Sequence, residues 1–294
     1  MNSFAPVPTN LIDVTIPFSG YLDDGGNTLD VLQDVCGSAS RAFPQALWIE
    51  RSDWADKARE NDKNKTWAAN YVDRFTNQNP THECTCHSLR TNAEAARNRQ
   101  RGIIFADGPK KDFRYTESGQ ASVWLSPLSV YAEANPRQWG GANVRQVLEI
   151  ACRRGMLPET KQPRAYEFKH AIHGTTGQGG MNQASGPWIS VSSFPSGWEE
   201  TAAKFKPLEV IFPESYEQAI CLILHGYVVS VGRSGHAVPW DQLIFESGEL
   251  KNVGYTDSYD VTRYDSARTA RSAWSGSFTI ATMTTPNSWD RPAE

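Results

Sequence analysis

Asn77-Gln78-Asn79-Pro80-Thr81-His82-Glu83-Cys84-Thr85-Cys86 sets a glutamine six residues before a cysteine that opens a predicted helix. A thiol attacks only as its thiolate, and a helix N-terminus, with its unpaired N–H groups and positive dipole end, favours that form. A glutamine amide close by can donate to a developing oxyanion, a major source of acyl-transfer catalysis. Much further along, Gly235-His236-Ala237-Val238 supplies an imidazole suited to act as the base. Thiol, imidazole and amide together read as a thiol hydrolase.

The pattern on either side of this stretch is helical first and sheet-like later. From Thr85 to Arg101, Leu89, Ala93 and Ala96 recur near a 3.6 period, and Gly102 follows as a stop. Ile103-Ile104-Phe105 reads as a short strand. Val123-Trp124-Leu125-Ser126-Pro127 precedes a further helix, with Pro127 suited to its first turn. Gly140-Gly141 introduces a third, on which Val144, Val147, Leu148 and Ala151 form one apolar stripe ending at Gly155. Residues 172–187 are rich in Gly, Ser, Thr and Gln and read as a long loop. Beyond them a helix from Glu214 to Gly226 is expected, then strands at Val228–Val231 and Ala237–Phe245. Glu246-Ser247-Gly248-Glu249 makes a hairpin turn into Leu250–Tyr255, and Ser275–Met283 is a closing strand. This order predicts an α+β fold in two lobes with a cleft between them.

The succession of glutamine, cysteine at a helix start, Leu-Ser-Pro, Gly-Gly and Gly-His-Ala-Val resembles the papain-like cysteine peptidases, in their divergent microbial or phage form. The resemblance runs from about Asn77 to Met283. It implies a helical lobe at about 78–165 and an antiparallel β lobe at about 166–283, the whole domain covering 71–283. Residues 1–70 would be an N-terminal extension packed on the body, and 284–294 a tail. In this likeness Gln78 is the oxyanion donor, Cys84 the nucleophile, His236 the base, and Gly140 and Gly141 bind the substrate backbone. The family has Asn-Ser-Trp after the histidine. Here Asp257-Ser258-Tyr259 is similar, so Asp257 would orient the imidazole, while a literal Asn287-Ser288-Trp289 lies beyond the closing strand. Thr81 stands where the family carries a cysteine, so that disulfide is not expected. No pro-segment of the family's type is evident, and the extension before Gln78 is a candidate tethered inhibitor of the cleft.

Several other side chains have a plainer reading. Cys86 is two residues into the helix and is expected to turn away from Cys84 as a packed thiol. His82, Cys84, Cys86 and His87 are too crowded for zinc, whose cysteine ligands usually have two or more residues between them. No metal and no cofactor is expected. Cys36, Cys152 and Cys221 read as interior packing, and Trp188, Trp198 and Trp240 as core before cleft wall. His170 and His173 flank the long loop and read as exposed.

Bulk properties set outer limits. A formal net charge of −4 and a pI near 5.9 give no electrostatic reason to expect nucleic acid or anionic membrane as partner. No run approaches the roughly 20 apolar residues that span a bilayer. Five scattered cysteines argue against a disulfide framework. With no basic-then-apolar leader, synthesis in a reducing cytoplasm is expected, and the presence of Met1 reads as a form from which no pro-segment has been cut. The first expectation is a peptide or protein substrate. A papain fold kept as a structural or assembly part of a larger particle, such as a phage virion, is one alternative. Its contact would run through the N-terminal extension. A transglutaminase- or amidase-like acyl transferase is another.

Overall fold

The computed structural model describes residues 36–73, 84–109, 123–134, 142–159, 191, 194, 196–233, 235–259 and 261–284. In chain order these form strand β1 (Ser40–Ala42), helix α1 (Trp54–Asn64), helix α2 (Cys84–Gln100), strand β2 (Trp124–Leu125), helix α3 (Leu128–Ala134), helix α4 (Val144–Arg154) and strand β3 (Pro158–Glu159). Helix α5 (Trp198–Ala203), strand β4 (Pro207–Phe212), helix α6 (Tyr216–Leu224) and strands β5 (Val229–Arg233), β6 (His236–Glu246), β7 (Glu249–Asp257) and β8 (Val261–Ser266) follow. Helix α7 (Ala267–Ala273) and strand β9 (Ser275–Met283) close the described chain. The architecture is α+β, with helices gathered early and an antiparallel sheet late.

Seven strands make the main sheet, in the order β1-β4-β9-β5-β6-β7-β8. Every pairing in it is antiparallel except β1 with β4, where Ser40 lies opposite Val210. The β6–β7 hairpin turns through Ser247 (φ 51°) and Gly248 (φ 84°). Two successive residues in the left-handed region are what a two-residue hairpin turn demands, and Ser-Gly meets it at the cost of one strained serine. Glu246 and Glu249 pair across this turn, and the ladder runs on to Trp240 and Tyr255 through two register shifts.

Helix α2 is the axle of the molecule. Every residue from Cys84 to Asn98 is buried, although the segment is rich in Arg, Asn and Thr. Burial of that many polar groups is tolerable only when they are bonded. Asn92 accepts from the Ile280 amide at 2.9 Å and donates to Ser230 Oγ at 3.1 Å, joining the helix to β9 and β5. Asn98 donates to the Tyr71 carbonyl at 2.9 Å. Arg90 and Glu94, one turn apart, pair at 2.8 Å with each side chain 1% exposed, and Glu94 also accepts from the Leu125 amide at 2.6 Å. These bonds fix the height and rotation of α2 against the sheet, and so fix where Cys84 sits.

The third helix of the sequence reading forms as α4, capped by Asn143, whose side chain accepts from the Arg145 amide at 2.8 Å. Its end at Gly155 has a φ of 91°. Pro127 stands just ahead of α3, and its carbonyl accepts from Tyr131 at 3.0 Å. The closing strand has the expected bounds.

Other expectations need correcting. Ile103–Phe105 is not a strand. The Ile103 amide returns to the Asn98 carbonyl at 2.8 Å and the Phe105 amide goes to Asn70 at 2.7 Å, so this apolar run plugs the end of α2. The charge-rich segment Trp54–Asn64 forms helix α1 and is not fully solvated. Trp54, Ala58 and Asn61 of α1 are buried, and Asn61 donates to the Leu224 carbonyl at 2.8 Å. Strands β4 and β8 and helix α7 had no separate reading. Trp240 is core, edge-on to Tyr216, and Cys221 packs against Ile49. Cys36 and Cys152 lie with sulfurs 3.4 Å apart, both as thiols. The long loop, the 165/166 lobe boundary, residues 1–35, Gln78, Gly140, Gly141, His82, His170, His173, Trp188 and Asn287-Ser288-Trp289 lie outside the described residues.

Candidate active site

Cys84, the first residue of α2, meets the first residues of β6. Its sulfur accepts from the Ala237 amide at 3.3 Å, across 153 positions of sequence. His236, one residue earlier, hydrogen-bonds the Cys84 side chain as well. Its Nε2 is 3.0 Å from Asp257 Oδ1. All three side chains are buried, Asp257 wholly so.

Sheet register explains why these residues converge. Trp240 lies opposite Tyr255 at the last pairing of the β6–β7 ladder, four residues short of His236 on one strand and of Tyr259 on the other. Their ring centroids are 5.9 Å apart. Asp257 ends β7 two residues past Tyr255, within side-chain reach of His236. On its other side Asp257 pairs with Val261 and Tyr255 with Arg263, so Arg263 is the diagonal neighbour across β8. Arg263 Nε sits 2.6 Å from Asp257 Oδ2. A chain of alternating character results: thiol, imidazole, carboxylate, guanidinium.

The electrostatics follow from that order. Burial opposes an imidazolium, but the bonds to Asp257 and Cys84 and their charges outweigh it and push His236 up to about 9. Burial would raise the Asp257 carboxyl. The His236 bond and charge, then Arg263, reverse this and hold it below the usual carboxylate range. Burial, helped by Cys84 and Asp257, drives the Tyr259 phenol up to about 12, so it stays neutral. At neutral pH the site therefore favours a charged imidazole beside an anionic carboxylate.

Of the residues singled out in the sequence, Cys84, His236 and Asp257 are brought together. Cys86 is fully buried next to them on α2. Three further groups were not singled out as parts of the site: the Ala237 amide, the Tyr259 ring and Arg263. The first two adjoin motif residues. Arg263 carries no local signal beyond the alternation of its strand. Among the described residues no group of three or more His, Cys, Asp or Glu could hold a metal. No described helix is long and apolar enough to cross a membrane.

No family model matches the sequence, and no curated protein does. Solved structures of papain-like cysteine proteases are similar in fold. Xylellain, a cysteine protease from Xylella fastidiosa, aligns with a TM-score of 0.46 and 11% identity over 71% of this chain and 82% of its own. A chain from the structural comparison of the mite allergens Blo t 1 and Der p 1 gives 0.48 and 14%, over 88% and 79%. Digestive procathepsin L 3 from the larval midgut of Tenebrio molitor gives 0.47 and 12%, over 86% and 77%, and it is to structures of this papain-like kind that the chain is similar.

Proposed function

We propose that this chain is a cysteine-type peptidase that hydrolyses peptide bonds through a thiolate–imidazolium pair. The observation that carries the reading is the convergence of Cys84, His236 and Asp257, delivered by a helix start, a strand start and a strand end. The Cys84 thiolate attacks the substrate carbonyl carbon, and its proton resides on His236. The tetrahedral oxyanion is held by the Cys84 backbone N–H and the Gln78 amide. His236 passes its proton to the departing amine, leaving an acyl thioester. Water then gives a proton to His236 and attacks the thioester carbon, and collapse releases the acid and restores the pair. Asp257 keeps the ring oriented and stabilises its charged form, while Gly140 and Gly141 serve the substrate backbone.

A second reading shares the acyl thioester and changes only its acceptor. An aspartate stands third here where papain-like peptidases have asparagine, and Cys-His-Asp sets also serve amide transfer to amines. Incubation of the purified protein with an unfolded protein substrate separates the readings. Fragments that disappear in Cys84→Ala support peptidase action. Incorporation of a labelled amine without fragments supports transfer. Undiminished cleavage by Cys84→Ala removes both.

A further inference from the structure

Asp257 is a fully buried carboxylate at the end of β7, and its two oxygens have different partners. Oδ1 receives His236 Nε2 at 3.0 Å and the Ser258 hydroxyl at 3.4 Å. Oδ2 has Arg263 Nε at 2.6 Å as an ion pair without hydrogen-bond alignment, and neither of these two atoms has a hydrogen-bond partner among the described residues. A carboxylate fastened at one oxygen alone can turn about its χ2 torsion, which is broad for aspartate. A cation held against the second oxygen opposes that turn through its charge. An unpaired buried carboxylate would also tend to take up a proton, and a neutral carboxyl no longer supports an imidazolium.

Arg263 is itself held by its place on β8 between neighbours of the opposite kind. On the same strand Asp265 takes Arg233 at 2.5 Å, and Arg233 also donates to the Tyr255 hydroxyl at 3.1 Å. Arg233 lies opposite His236 on the adjoining strand. Cations and carboxylates thus alternate across this face, and Arg263 does not face another guanidinium for the same carboxylate. Its side chain is 29% exposed, against none for Asp257, so one end remains hydrated while Nε reaches inward.

We infer that Arg263 is a positioning residue for the thiol–imidazole pair, clamping Oδ2 of Asp257 so that Oδ1 stays in the plane of the His236 ring. It touches neither Cys84 nor substrate and acts only through Asp257. The inference rests on the peptidase reading and adds a fourth member to its chain. The bland counterpart is an ion pair that merely steadies β7 against β8.

A double-mutant cycle on the full chain distinguishes them. Cleavage of a fluorogenic peptide and alkylation of Cys84 by iodoacetamide at pH 6 are measured for wild type, Arg263→Ala, Arg263→Lys, Asp257→Ala and Asp257→Ala/Arg263→Ala. Folding is followed by circular dichroism, with Arg263→Gln replacing any alanine variant that does not fold. In Arg263→Ala we expect kcat to fall at least tenfold, with KM changed less than twofold, and the alkylation rate to fall in parallel. Arg263→Lys recovers part of both, since a point cation reaches Oδ2 without the planar fork. The double variant should match Asp257→Ala within twofold. If Arg263→Ala costs as much in the Asp257→Ala background as in wild type, the clamp is refuted and the peptidase reading stands. If wild-type Cys84 is inert to alkylation at pH 6, the peptidase reading fails and the clamp with it.

Discussion

At the scale of single residues, the imidazole of His236 sets the pH behaviour. Its value in the fold, about 9, exceeds the ordinary value of 6.5, so its charged form stabilises the native state. That contribution is complete below about pH 6.5 and is lost as pH rises through about 9. Hydrolysis should therefore have a basic limb near pH 9. Replacing Asp257 by Asn keeps a polar partner on the ring and deletes the charge, so this limb should move down toward 6.5; a limb that stays near 9 would detach Asp257 from the imidazole. Cys84, His236 and Asp257 were legible in the sequence because each sits in a short local pattern with recognisable neighbours. Arg263 was not. Its tie to Asp257 depends on the β7–β8 register, which no local pattern of Thr262-Arg263-Tyr264 reveals.

The elements that carry these residues depend on a few positions with little tolerance. Arg90 and Glu94 are buried on the same face of α2, and deletion of either removes a charge-assisted bond from the other. Glu94→Ala should cost about 3–5 kcal/mol in denaturant unfolding, since it also orphans the Leu125 amide. A loss below about 1 kcal/mol would mean that water reaches Arg90. Gly155 ends α4 at φ 91°, and a Cβ there would run into the Ala202 carbonyl of α5. Gly155→Ala is expected to cost at least about 1 kcal/mol, read as a lowered Tm. Long periodic elements were the legible ones: α2, α4, α6, the β6–β7 hairpin and β9. Ile103–Phe105 misled because apolar residues that plug a helix end look like a buried strand over three positions. Strand β8 was missed because its side chains are only half buried, which blurs the alternation.

Across the whole molecule, the segment before α2 is part of the core that holds the sheet. Trp54, Ala58 and Trp67 pack in one cluster with Ile220, Val229 and Leu243, and the Trp54 indole donates to the Ile49 carbonyl at 3.0 Å. A chain beginning at residue 75 should therefore fail to fold cooperatively; a sharp, wild-type-like thermal transition would contradict this. Residues 1–70 read as an extension because Trp54 and Trp67 stand among charges, and the residues they pack against come much later in the chain. The central claim also joins distant parts of the chain, a sulfur on a helix start and a ring on a strand start. It is tested most directly by the pH dependence of Cys84 carboxymethylation, with the Cys84→Ala protein subtracted to remove the other thiols. Substantial reaction well below the ordinary thiol midpoint of about 8.5, lost in His236→Ala, is the expected result. A single rise near 8.5, the same with and without His236, would contradict the account.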